Sequence, residues 1–194
     1  MNRRKSLSLA INALLCTLII VFTAVPITIG PVRLAVLMLV PVLVAGQTGG
    51  LGTAVFSGTF LGIVSLITSF VAPTSPLSYA FQNPMISVFP RLFIGLVVYG
   101  VYHFFLKVIS NEKIAVSVGG TLSAILGVMT NTGLVSLMLW AFYGKTGIQG
   151  TVVDGAFMQT VILANFLVEV VVCAIITPPI SLAVRKTMDR AGGQ

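Results

Sequence analysis

The run Asn83-Pro84-Met85-Ile86-Ser87-Val88-Phe89-Pro90-Arg91-Leu92-Phe93-Ile94-Gly95-Leu96-Val97-Val98-Tyr99-Gly100-Val101-Tyr102-His103-Phe104-Phe105-Leu106-Lys107 carries a single charge, Arg91, between its ends. A helix that crosses a bilayer needs roughly 20 mostly apolar residues. This stretch meets that length, and its neighbours repeat the pattern. Apolar segments cover about 7–25, 32–46, 48–72, 84–107, 114–143 and 155–184. Only 8% of the 194 residues are charged and 57% are hydrophobic, with a mean hydropathy of +1.08. That leaves too little polar sequence for the surface of a soluble domain. The expected fold is an all-α membrane protein: one domain over residues 1–194, built as a bundle of six transmembrane helices.

Net charge is +7. In a soluble chain that excess would suggest nucleic acid; here basic residues flank spans and set orientation. With the N-terminus inside, Arg3, Arg4, Lys5, Lys107, Lys113, Arg185, Lys186 and Arg190 lie on the inner side, Lys145 alone outside, and Arg33 and Arg91 at or within spans. The asymmetry places both termini in the cytoplasm and the loops near 26–31, 73–83 and 144–154 outside. The basic start followed by an apolar run has the look of a signal peptide, but no small-residue cleavage site follows, so it is read as the first span. The second segment is short, and Pro41 within it points to a broken helix or local thinning of the bilayer.

Function has to be sought among the few polar residues left in the membrane. Arg91 lies about 10 Å below the outer end of its helix at 1.5 Å per residue. Pro90 removes a helical hydrogen bond and frees a carbonyl, and Asn83-Pro84 has the chemistry of a helix start. Two readings of Arg91 stand: a cation that meets an anionic ligand, or a structural pair with Glu169 or backbone carbonyls. Arg33, at the start of the second segment, either snorkels to headgroups or adds positive charge at a pocket mouth. Asn131 is mid-helix; Asn165 and Glu169 share a face one turn apart, and Gln159 lies further out. Trp140, Phe142, Tyr143, Tyr79 and Phe81 suit an interfacial aromatic belt, or a lid over a ligand. Cys16 and Cys173 read as buried thiols and His103 as an interfacial residue. No metal-ligand spacing, nucleophile motif or phosphate loop is present in the sequence, so no catalytic residue and no metal site are expected.

Thr28-Ile29-Gly30-Pro31-Val32-Arg33, the glycine-rich 46–52, the Asn83-Pro84…Pro90-Arg91…Gly95 segment and Thr130-Asn131-Thr132-Gly133 resemble the S components of energy-coupling factor (ECF) vitamin transporters, most closely the pantothenate-type branch. The resemblance covers nearly the whole chain. It implies a non-enzymatic, multi-pass subunit of a prokaryotic plasma membrane that binds a vitamin tightly from the outer face. It also implies docking on a transmembrane coupling subunit and two ATP-binding subunits, with toppling in the membrane to release substrate inside. ATP would be held by those partners, no cofactor by this chain, and nucleic acid plays no part. The family's docking motif on the first helix has its nearest matches at Ser6-xxx-Ala10 and Ala13-xxx-Thr17. Substrate contacts are expected from Arg91, Asn131, Asn165, Arg33, Asn83, Gln159 and Tyr143. Pantothenate is favoured; pyridoxine, a hydroxymethylpyrimidine, a stand-alone small transporter and an intramembrane enzyme are the competing readings.

Overall fold

The computed structural model describes residues 3–24, 28–29, 32–33, 36–73 and 75–192. Eight helices make up most of it: α1 (Arg3–Ala24), α2 (Val36–Thr48), α3 (Leu51–Val71), α4 (Pro76–Ala80), α5 (Pro84–Ser87), α6 (Phe89–Val108), α7 (Glu112–Tyr143) and α8 (Gly155–Gly192). Two-residue strands β1 (Thr28–Ile29) and β2 (Val32–Arg33) pair antiparallel between α1 and α2. Five stretches are long and apolar enough to cross a membrane: Ser6–Ala24, Leu51–Val71, Pro84–Val108, Glu112–Tyr143 and Phe166–Arg190.

The second apolar segment departs from expectation. Val32 and Arg33 belong to the strand pair, with Thr28 opposite Arg33, so Arg33 does not begin the helix. Gly30-Pro31 between the strands is a turn signal that the apolar run obscured. Helix α2 has 13 residues, about 20 Å at 1.5 Å per residue against a hydrocarbon core of about 30 Å. Residues 39–47 are all buried, and α2 packs on α1, α3, α6, α7 and α8. Its hydropathy therefore reflects a central core helix.

Large apolar side chains on the other helices face outward, among them Phe70, Trp140, Leu167 and Ile175. In lipid such exposure costs nothing, and helices associate instead through close packing over small residues. The α3–α6 contact is built that way. A Cβ on Gly58 would strike the Arg91 carbonyl, and one on Gly95 would strike the Ala54 carbonyl. A Cβ on Gly62 would sit 2.7 Å from Val88 Cα and 3.0 Å from Ser87 O. The Gly58-xxx-Gly62 spacing thus serves the bundle interior, and it presses α3 against the segment that holds Arg91.

The short α2–α3 and α6–α7 links lie at one end, here the lower. At the upper end the expected loop 73–83 contains α4, whose start Ser75 caps by accepting from Ser78 N–H at 3.3 Å. The α7–α8 connection turns through Ile148 and Thr151, with Gly147 and Gly150 at φ 70° and 78°, a backbone region that favours glycine. Two apolar clusters result. The larger holds Leu39, Leu43, Ile94, Val98, Val128 and Cys173; the upper one holds Ala80, Ile86, Val135, Leu139, Ile148 and Val153.

Candidate functional site

Between the two clusters the inward faces of three helices turn polar. On α7 the buried face climbs through Ala124 and Val128 in the larger cluster to Val135 and Leu139 in the upper one, and Asn131 stands between them at helical spacing. On α5–α6, Arg91 stands between Ile86 above and Ile94 and Val98 below. On α8, Glu169 sits one turn above Cys173 of the larger cluster. Arg91 is 3% exposed and Glu169 6%. A polar layer divides the apolar core.

Arg91 is set in place by its local sequence. Asn83 caps α5, its Oδ1 accepting from Met85 N–H at 3.0 Å, with Pro84 in the first turn. That acceptor is committed to the helix start. The fourth apolar segment breaks at Val88, and Pro90 lies in the first turn of α6, so the proline begins a helix rather than kinking one. Pro90 has no N–H to offer the Ile86 carbonyl. Side chains on a helix lean toward its N-terminus, and the Arg91 guanidinium reaches back to supply the missing donor. Its Nη1 donates to Ile86 O at 3.3 Å and to Ser87 O at 2.5 Å. The guanidinium carbon lies 4.9 Å from the centre of the Phe81 ring, a cation–π contact. Ser87 in turn donates from Oγ to Gly62 O at 3.2 Å, tying the break to α3.

This arrangement leaves capacity unused. Among the described residues the buried Nε–H of Arg91 has no partner, and neither has the buried Oδ1 of Asn131. Glu169 lies within Coulombic range of Arg91, but no ion pair joins them among the described residues. Of the two structural partners read from the sequence, the carbonyls hold the guanidinium. The layer thus presents a cation with a free donor, a buried carboxyl group nearby and a free acceptor on a third helix. Buried polar atoms without partners are rare and call for one.

The remaining expected residues distribute unevenly. Tyr143 packs half-buried against the upper cluster. Gln159 is exposed and stands apart from the layer. Asn165 lies one turn above Glu169 on α8 and Arg33 on β2, which lies against α8; both side chains fall outside the described residues. Trp140, Phe142 and Tyr79 are exposed near the upper end. On α1, Ala10, Ala13 and Thr17 are exposed and Ser6 is half-buried, while Leu15 and Ile19 on the other face enter the core. His103 bonds through Nδ1 to Tyr99 O at 2.9 Å and lies against the Tyr99 ring. Sequence reasoning missed Phe81 as the guanidinium's partner, because the pairing crosses a helix break. It also missed Gln47, a buried amide inside α2 that donates to Gly120 O and Ser123 Oγ.

The family model described as ECF transporter, substrate-specific component, matches residues 7–181. The chain belongs to this family. The pantothenic acid transporter PanT of Lactococcus lactis subsp. cremoris (strain MG1363) is 26% identical over 209 residues, spanning 98% of this chain and 100% of the relative. This substrate-specific component is accordingly a multi-pass protein of the cell membrane and a transport subunit rather than an enzyme.

Proposed function

We propose that this substrate-specific component binds pantothenate in the layer formed by Arg91, Asn131 and Glu169. The observation that carries the reading is the pair of unmet groups, a donor on Arg91 and an acceptor on Asn131. Pantothenate supplies a carboxylate acceptor for the first and hydroxyl and amide donors for the second. Asn165 on α8 and Arg33 on β2 are candidates to complete the site, with Tyr143 above it. The similarity to a pantothenic acid transporter points the same way. The distribution of basic residues supports the upper end as the outer face, with both termini in the cytoplasm and α2 enclosed among five spans, so substrate enters from outside. Delivery inward depends on a coupling subunit and two ATP-binding subunits, docked on the exposed small-residue stripe of α1.

The test is binding by the purified chain. Losing a charge-assisted hydrogen bond in a desolvated site costs about 2–4 kcal/mol, roughly 30- to 1000-fold in affinity. Calorimetry should show that loss for Arg91→Ala, and a smaller one for Arg91→Lys, which replaces a planar fork by a point charge. Wild-type affinity in folded Arg91→Ala overturns the pairing. A thermal-shift panel of vitamins settles the substrate: stabilisation by pyridoxine or a hydroxymethylpyrimidine and not by pantothenate would reassign it. Uptake by the chain alone in liposomes would favour a stand-alone transporter.

A further inference from the structure

Below the candidate site the inward row of α8 continues polar. Glu169, Cys173, Thr177 and Ser181 follow at every fourth residue, and the last two are 0% and 1% exposed. Neither Thr177 Oγ1 nor Ser181 Oγ has a hydrogen-bond partner among the described residues. Elsewhere in the bundle helical hydroxyls bond back to the carbonyl four residues earlier, as Thr48, Thr68, Ser69 and Thr130 do. Thr177 and Ser181 do not. A third unmet atom comes from α2: Gln47, 2% exposed, donates from Nε2 to Gly120 O at 2.8 Å and to Ser123 Oγ at 3.0 Å, while its Oε1 has no partner. Gln47 Oε1 and the Pro178 ring both border Gly120 of α7. A Cβ on Gly120 would lie 3.3 Å from Pro178 Cβ and 3.5 Å from Gln47 Oε1, so the amide oxygen adjoins the turn that carries Thr177. Pro178 and Pro179 both lie inside α8. Lacking N–H groups, they leave the Ala174 and Ile175 carbonyls without their helical donors. Proline is tolerated in spanning helices where side chains and ordered water satisfy the carbonyls it frees.

We propose that Gln47, Thr177 and Ser181 form a buried water site at the junction of α2, α7 and α8. Water suits the set because it donates to the Gln47 oxygen and accepts from or donates to either hydroxyl. Buried waters typically make about three such bonds to otherwise unmet groups. An apolar ligand would leave all three oxygens unmet. The site is independent of the pantothenate reading, since it lies below the Arg91 layer.

Two experiments decide it. A crystal structure at about 2 Å should show ordered density within hydrogen-bond distance of Gln47 Oε1 and at least one of the two hydroxyls. Empty density with Gln47 Oε1 still unbonded overturns the proposal. In thermal unfolding, Thr177→Val keeps the side-chain shape, and Ser181→Ala removes one atom. If the hydroxyls hold water, each change lowers Tm by about 2–4 °C, the shift that a lost hydrogen bond produces in a chain of this size. If the hydroxyls are merely unmet, removing them leaves Tm unchanged or raises it, which sinks the assignment. A Tm that rises with sodium but not with choline would mark a cation in place of water and also overturn it.

Discussion

At the scale of single residues, the Pro90-Arg91 pair shows how one substitution of backbone chemistry positions a charge. Proline withholds a donor from Ile86, and arginine returns one from its side chain. The cost of a buried guanidinium is thereby reduced without an ion pair, which leaves part of its donor capacity for a ligand. Asn131 provides a separate test of the site. Its Oδ1 is buried and unmet, so Asn131→Leu removes a desolvated group without breaking a hydrogen bond among the described residues. An unmet buried acceptor costs about 1–3 kcal/mol. The variant should unfold at the same or a higher temperature than wild type while binding pantothenate at least tenfold more weakly. A parallel loss of stability and affinity would instead make Asn131 a structural bond between helices.

At the scale of elements, the site depends on how closely α3 approaches α6. Gly95 meets the Ala54 carbonyl with no room for a side chain. Gly95→Ala should force the helices apart, cost about 1–3 kcal/mol, and weaken binding because Arg91 rides on the displaced segment. Gly100, on the same helix, has nothing near its missing Cβ, so Gly100→Ala should stabilise by up to about 1 kcal/mol through helix propensity. Thermal unfolding of the two variants side by side separates packing from propensity. Equal effects would mean that the α3–α6 contact is looser than described.

At the scale of the whole molecule, α1 has two unlike faces. Leu15 and Ile19 anchor it to the core, and the opposite stripe of Ala10, Ala13 and Thr17 is exposed. Bulk added there meets no part of the bundle. Ala10→Trp and Ala13→Trp should leave pantothenate affinity and Tm of the isolated chain unchanged while blocking co-purification with the coupling subunit. Normal complex formation by both variants would refute docking through this face. Loss of affinity in the isolated chain would show that the stripe serves the bundle after all.

How much of this was legible beforehand follows from the range of each interaction. Composition and the length of the apolar runs alone established a helical membrane protein, because a bilayer imposes its thickness on any chain that crosses it. The Asn83-Pro84 start and the freed carbonyl beside Pro90 were legible too, since capping and proline chemistry act within a few residues. Local hydropathy could not tell a helix facing lipid from one enclosed by other helices, which is why α2 read as a span that began at Val32. Nor could sequence spacing pair Phe81 with Arg91 across a helix break, commit Asn83 to its cap, or leave Gln159 outside the polar layer. Those outcomes rest on contacts between elements distant in sequence. The layer of Arg91, Asn131 and Glu169 exists only where three helices meet, and the tertiary structure alone decided which polar residues share it.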